Sequence, residues 1–235
     1  MQYLKNLNNE QIEAVTHVDG PLLIVAGAGS GKTKVLTSKI AHIIDQKRAF
    51  PNQILAVTFT NKASREMQNR VSTLLKQNAT GMKWLGTFHS LSAKFLRKHA
   101  KALGLNHNFT ILDQDDQLRL IKNICKAENI DIKKISPNYI LAVIDKWKNR
   151  GWYPSDVSIK KTEILEKHFL KIYKIYQEKL LDLNSCDFGD LLLHCVKLFE
   201  KNSDICQIYS KNFKYILVDE YQDTNIIQSK WLKLL

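Results

Sequence analysis

The sequence predicts an α/β fold, a parallel sheet flanked by helices and interrupted by a mostly helical inserted domain. Three observations predict it. Apolar residues 21–25 feed straight into Ala26-Gly27-Ala28-Gly29-Ser30-Gly31-Lys32-Thr33, which reads as a buried strand entering a phosphate-binding loop. Further apolar runs at 54–59, about 82–86 and 215–218 alternate with amphipathic stretches, the pattern of a parallel sheet with functional loops at its strands' C-terminal ends. Finally, 187 residues separate Lys32 from Asp219, far more than a minimal strand–helix core needs between its phosphate loop and its acidic strand.

The elements follow in order. Asn8 is an N-cap with Gln11 three residues on, so a short helix starts there. After the loop, a helix runs from about Gly31 to Asp45 with Val35, Leu36, Ile40, Ile43 and Ile44 on one face. The second strand, 54–59, leads into a helix carrying Met67, Val71, Leu74 and Leu75. A third strand ends at Thr87-Phe88-His89-Ser90. Beyond it the period changes: residues 91–103, 115–128, 137–148, 163–183 and 187–200 read as helices, and only 109–112 is strand-like. This divides the chain into a first motor part at 1–89, a helical insertion at 90–212, and a return to the sheet at 213–235.

The loop's chemistry follows from its residues. Glycines let backbone N–H groups turn toward phosphates. Lys32 reaches the β- and γ-phosphates as a point charge, the Thr33 hydroxyl binds Mg²⁺, and the next helix aims its positive end at the same anion. Ala26 stands where the strict pattern has glycine. Far downstream, Asp219 and Glu220 close a strand. Asp219 suits the metal and Glu220 the general base that orients attacking water.

Composition sets bounds. The 235 residues are 44% hydrophobic, enough to fill a core, and no apolar run is long enough to span a membrane. The N-terminus has neither a secretion nor a transit signature. Cys125, Cys186, Cys195 and Cys206 form no C-x-x-C pair and read as core thiols of a reducing cytoplasm. The net charge of +12 fits a polyanion partner. It also fits coding bias, since only six of the 35 basic residues are Arg. Residues 90–212 carry 21 basic and 15 acidic residues, so the charge is spread evenly and locates no surface.

Six segments occur in a familiar order. They are Leu7-Asn8-Asn9-Glu10-Gln11, the loop 26–33, Ala56-Val57-Thr58-Phe59-Thr60-Asn61-Lys62-Ala63, Gly86-Thr87-Phe88-His89-Ser90, Asp187-Phe188-Gly189-Asp190-Leu191-Leu192 and Val218-Asp219-Glu220-Tyr221-Gln222-Asp223. Together they resemble the N-terminal half of UvrD/Rep-type superfamily 1 DNA helicases, from about residue 4 to the last residue. The resemblance implies a P-loop NTPase (RecA-like) sheet, incomplete within these residues, that binds ATP and Mg²⁺. It implies that Gln11 reads the adenine edge, whose donor–acceptor pair an amide matches. Gln222 would sense the γ-phosphate or couple it to DNA. Phe59, Thr60, Asn61, Thr87, Phe88, His89 and Ser90 would line a single-strand path, where bases stack on aromatics and phosphates meet hydroxyls and amides. Lys34 departs from the arginine many relatives carry beside the base, and Lys lacks the stacking guanidinium. Tyr221 replaces the common Phe.

The resemblance further implies a 3′-to-5′ helicase or translocase of repair or replication restart, acting on single strands and single-strand/duplex junctions. In the family, a second motor domain supplies arginines to the γ-phosphate, so these 235 residues are expected to hydrolyse ATP weakly and not to unwind duplex without a second motor domain or a partner chain in trans. Two other readings stand beside this one: a non-catalytic DNA- or partner-binding fragment with a vestigial nucleotide site, and the front end of a helicase–nuclease subunit.

Overall fold

A computed structural model describes residues 1–75, 81–132, 135–158 and 164–235. In chain order the elements are α1 (Asn9–Thr16), α2 (Lys32–Asp45), β1 (Ile54–Thr58), α3 (Asn61–Leu75), β2 (Leu85–Thr87), α4 (Phe88–His99), β3 (Thr110–Ile111), α5 (Gln114–Ala127), α6 (Pro137–Asn149), α7 (Ile164–Asp182), β4 (Ser185–Cys186), α8 (Phe188–Lys201), α9 (Ser203–Asn212), β5 (Tyr215–Val218) and α10 (Ile226–Lys233). Glu163, the expected start of the long helix, lies outside the described residues.

The chain divides into two compact units, 1–91 with 208–223, and 92–207 with 224–235. In the first, three parallel strands run in the order β2-β1-β5, with Val57 opposite both Gly86 and Val218. All five residues of β1 are buried because it is central, as the apolar run of a parallel strand requires. Ile40, Ile43, Met67, Val71 and Leu217 pack with it into one core. The spacing of those residues on α2 and α3 gives each helix one apolar face. Tyr3 anchors the N-terminus, donating its hydroxyl to Asp45 Oδ2 at 2.8 Å.

Residues 21–25 correct the sequence reading. They join no ladder, and Leu23 and Val25 are 74% and 87% exposed. A parallel strand is buried only with neighbours to pair with. Among the described strands none lies beside this segment, and β5 ends the sheet. Apolar composition alone therefore predicted more order than the segment has.

The second unit is helical, with β3 and β4 pairing in parallel over two residues. Ile121, Ile140, Ile144, Trp147, Phe169, Ile172 and Tyr173 fill its core. Residues 213–235, expected to return to the sheet, divide between the two units. Residues 213–223 stay with the sheet, whereas 224–235 belong to the helical unit. There Trp231, fully buried, meets Phe95 at 5.9 Å between ring centroids and donates its indole N–H to Cys195 Sγ at 3.2 Å. Burying so large an aromatic outweighs continuity along the chain.

Candidate nucleotide site

The first unit gathers the phosphate loop and the acidic strand end. Gly31, N-cap of α2, has φ 89°, and Gly29 has φ 77°. L-residues seldom adopt that region, so the turn demands glycine at both positions. Within the loop, Ser30 donates its N–H (3.3 Å) and its hydroxyl (2.7 Å) to the Gly27 carbonyl. No side chain caps α2. A glycine turn delivering an uncapped helix start is an arrangement that suits an anion. The Lys32 ammonium lies over this turn, donating to the Ala26 and Gly27 carbonyls at 2.9 and 3.2 Å. Ala28 is exposed at the loop's tip.

Gln11 uses both ends of its amide. Its Oε1 accepts the Asn8 N–H at 3.0 Å, closing a capping box with Asn8 Oδ1, and its Nε2 donates to the Ser30 carbonyl at 3.0 Å. The Lys34 ammonium donates to the Asn6 carbonyl at 2.5 Å. Asn6 itself sits at φ 66°, a region asparagine tolerates.

Asp219 stands at the end of β5, 8% exposed, its N–H donating to the Val57 carbonyl at 2.9 Å. Burial and the Glu220 charge raise its carboxyl above the ordinary range; the Lys32 charge and a hydrogen bond from the Thr33 hydroxyl oppose them. Lys32, Thr33 and Asp219 are thus one electrostatic group. Among the described residues no three His, Cys, Asp or Glu gather around a common point. Mg²⁺ needs no such cage, being held by one or two carboxylates with substrate phosphates and water. The Thr33–Asp219 pair fits that ion. Glu220 follows at φ 50°, a strained conformation for a non-glycine residue. Its Oε2 accepts the Gln222 Nε2–H at 2.5 Å.

At the tips of β1 and β2 the expected strand-path residues separate into two groups. Phe59 is half-buried, Thr60 and Asn61 are exposed, and Thr60 Oγ1 caps α3 by accepting the Ala63 N–H at 3.0 Å. Thr87 and Ser90 close a reciprocal box: Thr87 Oγ1 accepts the Ser90 N–H at 3.2 Å and Ser90 Oγ accepts the Thr87 N–H at 2.9 Å. Phe88 is 1% exposed and meets Phe59 edge-on with centroids 5.6 Å apart. As placed, Phe88 offers no face to a base. His89 is half-buried, and burial lowers its pKa.

Two features escaped the sequence reading. Lys39 is buried with its ammonium on the Ala14 (2.9 Å) and His17 carbonyls, fixing the end of α1; its helical spacing gave no sign of that. The Glu220 backbone conformation has no sequence signature either.

Comparison with known proteins shows the family. The model of the UvrD/REP helicase N-terminal domain matches residues 7–235. The chain is 50% identical over 236 residues to a probable DNA helicase II homolog of Rickettsia conorii, an alignment covering 99% of this chain and 36% of that protein. It is 50% identical over 237 residues to DNA helicase II of Rickettsia typhi, with the same coverage. To ATP-dependent DNA helicase PcrA of Staphylococcus epidermidis it is 44% identical over 232 residues, 99% of this chain and 32% of that protein. The chain therefore spans about a third of the length of these curated relatives. It belongs to the UvrD/REP helicase N-terminal domain family.

Proposed function

We propose that these residues form the ATP-binding N-terminal portion of an ATP-dependent 3′-to-5′ DNA helicase or translocase serving DNA repair or replication restart. The observation that carries the reading is the convergence of Lys32 and Thr33 on Asp219, 187 residues apart in sequence and electrostatically coupled in the fold. Residues 26–33 cradle the phosphates, and Lys32 exchanges the Ala26 and Gly27 carbonyls for phosphate oxygens. Thr33 and Asp219 hold Mg²⁺, which supplies charge neutralisation at the β- and γ-phosphates when bound. Glu220 orients the attacking water, and Gln222, hydrogen-bonded to it, reports on the γ-phosphate. Gln11 holds the adenine edge, with Lys34 beside the base.

DNA contact falls to Phe59, Thr60, Asn61, His89 and Ser90, while Thr87 and Phe88 support them from the core. The substrate is single-stranded DNA and its junctions with duplex. An arginine reaching the γ-phosphate is worth roughly 10³–10⁵ in rate in related nucleotide switches. A second motor domain or partner chain would supply it. The test is titration of a fluorescent ATP analogue with Mg²⁺, with and without single-stranded DNA, against Lys32→Ala. Nucleotide binding lost in Lys32→Ala supports the reading. Equal binding by both proteins removes it.

A further inference from the structure

In the helical unit, the loop 151–156 and helices α8 and α10 enclose a groove of about 360 Å³. Its floor is apolar, made by Leu193 and Val196. Three ammonium groups border it, on Lys197 and Lys201 one turn apart on α8 and on Lys230 of α10. Two acids lie nearby, and one of them is paired with a lysine of the groove. Glu200 pairs with Lys230 at 2.7 Å, and Asp156 accepts the Tyr153 N–H at 2.8 Å. That leaves Lys197 and Lys201. The Lys197 ammonium lies 3.5 Å over the Tyr153 ring, and burial with the Lys201 charge lowers its pKa against the opposing charge of Asp156. Lys201 makes no ion pair among the described residues.

We propose that this groove takes the sugar–phosphate backbone of duplex DNA. Two lysines one helical turn apart meet phosphates, and an apolar floor meets deoxyribose. Single strands are held chiefly on exposed aromatic faces, and the groove offers none. The Tyr153 ring is stacked on His194 at 5.7 Å and covered by Lys197, and its hydroxyl is bonded to His194 Nδ1 at 2.6 Å. The proposal rests on the DNA reading above but uses none of its nucleotide or strand-tip residues.

The experiment is fluorescence anisotropy of a labelled 20-base-pair duplex and a labelled 20-nucleotide single strand from 50 to 200 mM salt. It compares the parent with Lys197→Gln/Lys201→Gln and with a matched pair on α5, Lys122→Gln/Lys126→Gln. The groove variant should bind duplex roughly tenfold more weakly at 0.1 M salt, with a log–log salt slope shallower by about 1.8, near 0.9 per lysine. The α5 pair should match the parent. Lys201→Gln alone, at an exposed position that folding does not need, should give about half the slope change. Equal slopes for both double variants, or equal loss on single strand and duplex, would overturn the proposal. So would displacement of a hexaglutamate peptide without any effect on duplex, which assigns the groove to an acidic protein. A parent that binds single strand but no duplex overturns the groove alone; one that binds neither removes the DNA reading as well.

Discussion

Gln11 joins the Ser30 carbonyl to the start of α1, donating from Nε2 at 3.0 Å while its Oε1 holds the Asn8 N–H. The two halves of the amide can be tested apart. Gln11→Glu keeps the acceptor for the capping box and loses the donor to the loop. Its melting temperature should stay near the parent's, with ATP affinity falling on the order of tenfold for one lost hydrogen bond. Gln11→Ala loses both contacts and should also cost about 1 kcal/mol of stability. Titration of a fluorescent ATP analogue beside thermal melts distinguishes them.

Asp219 is held above its ordinary pKa first by burial and then by Glu220. A carboxyl raised in the folded state contributes stability below its unfolded pKa, and that contribution is lost as pH rises through the folded value. Asp219→Asn should therefore raise the melting temperature at pH 7 and give little gain at pH 4, while Mg²⁺-dependent nucleotide binding disappears. A melting temperature at pH 7 below the parent's would sink this account.

How much was legible in the sequence can be traced residue by residue. The helices with a sustained apolar face, such as α2 with Val35, Ile40 and Ile43, were readable from spacing. Lys32, Thr33, Asp219 and Glu220 stand out in the sequence because their chemistry is local to their motifs. The short helix α9 was not, because among its ten residues only Tyr209 is buried and the periodic signal is weak. The place of α10 was not either: Trp231 takes it into the helical unit, a tertiary preference that chain adjacency to Asp219 hides. Thr87 and Ser90 have the spacing of a helix cap, but the family resemblance assigned the same hydroxyls to a single-strand path.

The exposed segment 21–25 makes its own prediction. Buried strand residues cost about 2–5 kcal/mol on truncation. Leu23→Ser and Val25→Ser, at residues 74% and 87% exposed, should each cost within about 0.5 kcal/mol in this chain. Urea unfolding of both variants checks it. A loss of several kcal/mol would mean that the segment is paired in solution.

Phe59 and Phe88 touch edge-on but differ in burial, half-buried against 1% exposed. Phe88→Ala should cost about 3–5 kcal/mol of stability through the cavity it leaves. Phe59→Ala should cost less and should weaken single-strand binding by about 1–3 kcal/mol if a base stacks there. Anisotropy at a temperature where both variants are folded separates the roles. Equal DNA loss with equal stability would contradict the division.

The buried Lys148 joins α6 to the start of α8, with Nζ 2.6 Å from Asp187 Oδ2 and 2.7 Å from Asp190 Oδ1. Tyr176 adds a hydroxyl to Asp187 (3.0 Å), Gln177 an amide to Asp190 (2.9 Å), and the two acids cap each other's N–H groups. Every carboxylate oxygen is satisfied, so removing the one cation leaves two buried charges opposed. Lys148→Met should cost about 3–5 kcal/mol at pH 7. The acids titrate as a pair: burial and the Asp190 charge raise Asp187 to about 6, while Lys148 and its hydrogen bond overcome burial and hold Asp190 at about 2. The raised member contributes stability below the ordinary carboxylate range that is lost as pH rises through about 6. The lowered one contributes stability that is lost only as pH falls through about 2. Between pH 4 and 7 the Asp187 effect dominates, so Asp187→Asn, which leaves a one-to-one Lys148–Asp190 pair, should flatten the fall in stability across that window. Melting curves of parent and variant at pH 4, 5, 6 and 7 decide it, and parallel profiles would mean that the proton resides elsewhere.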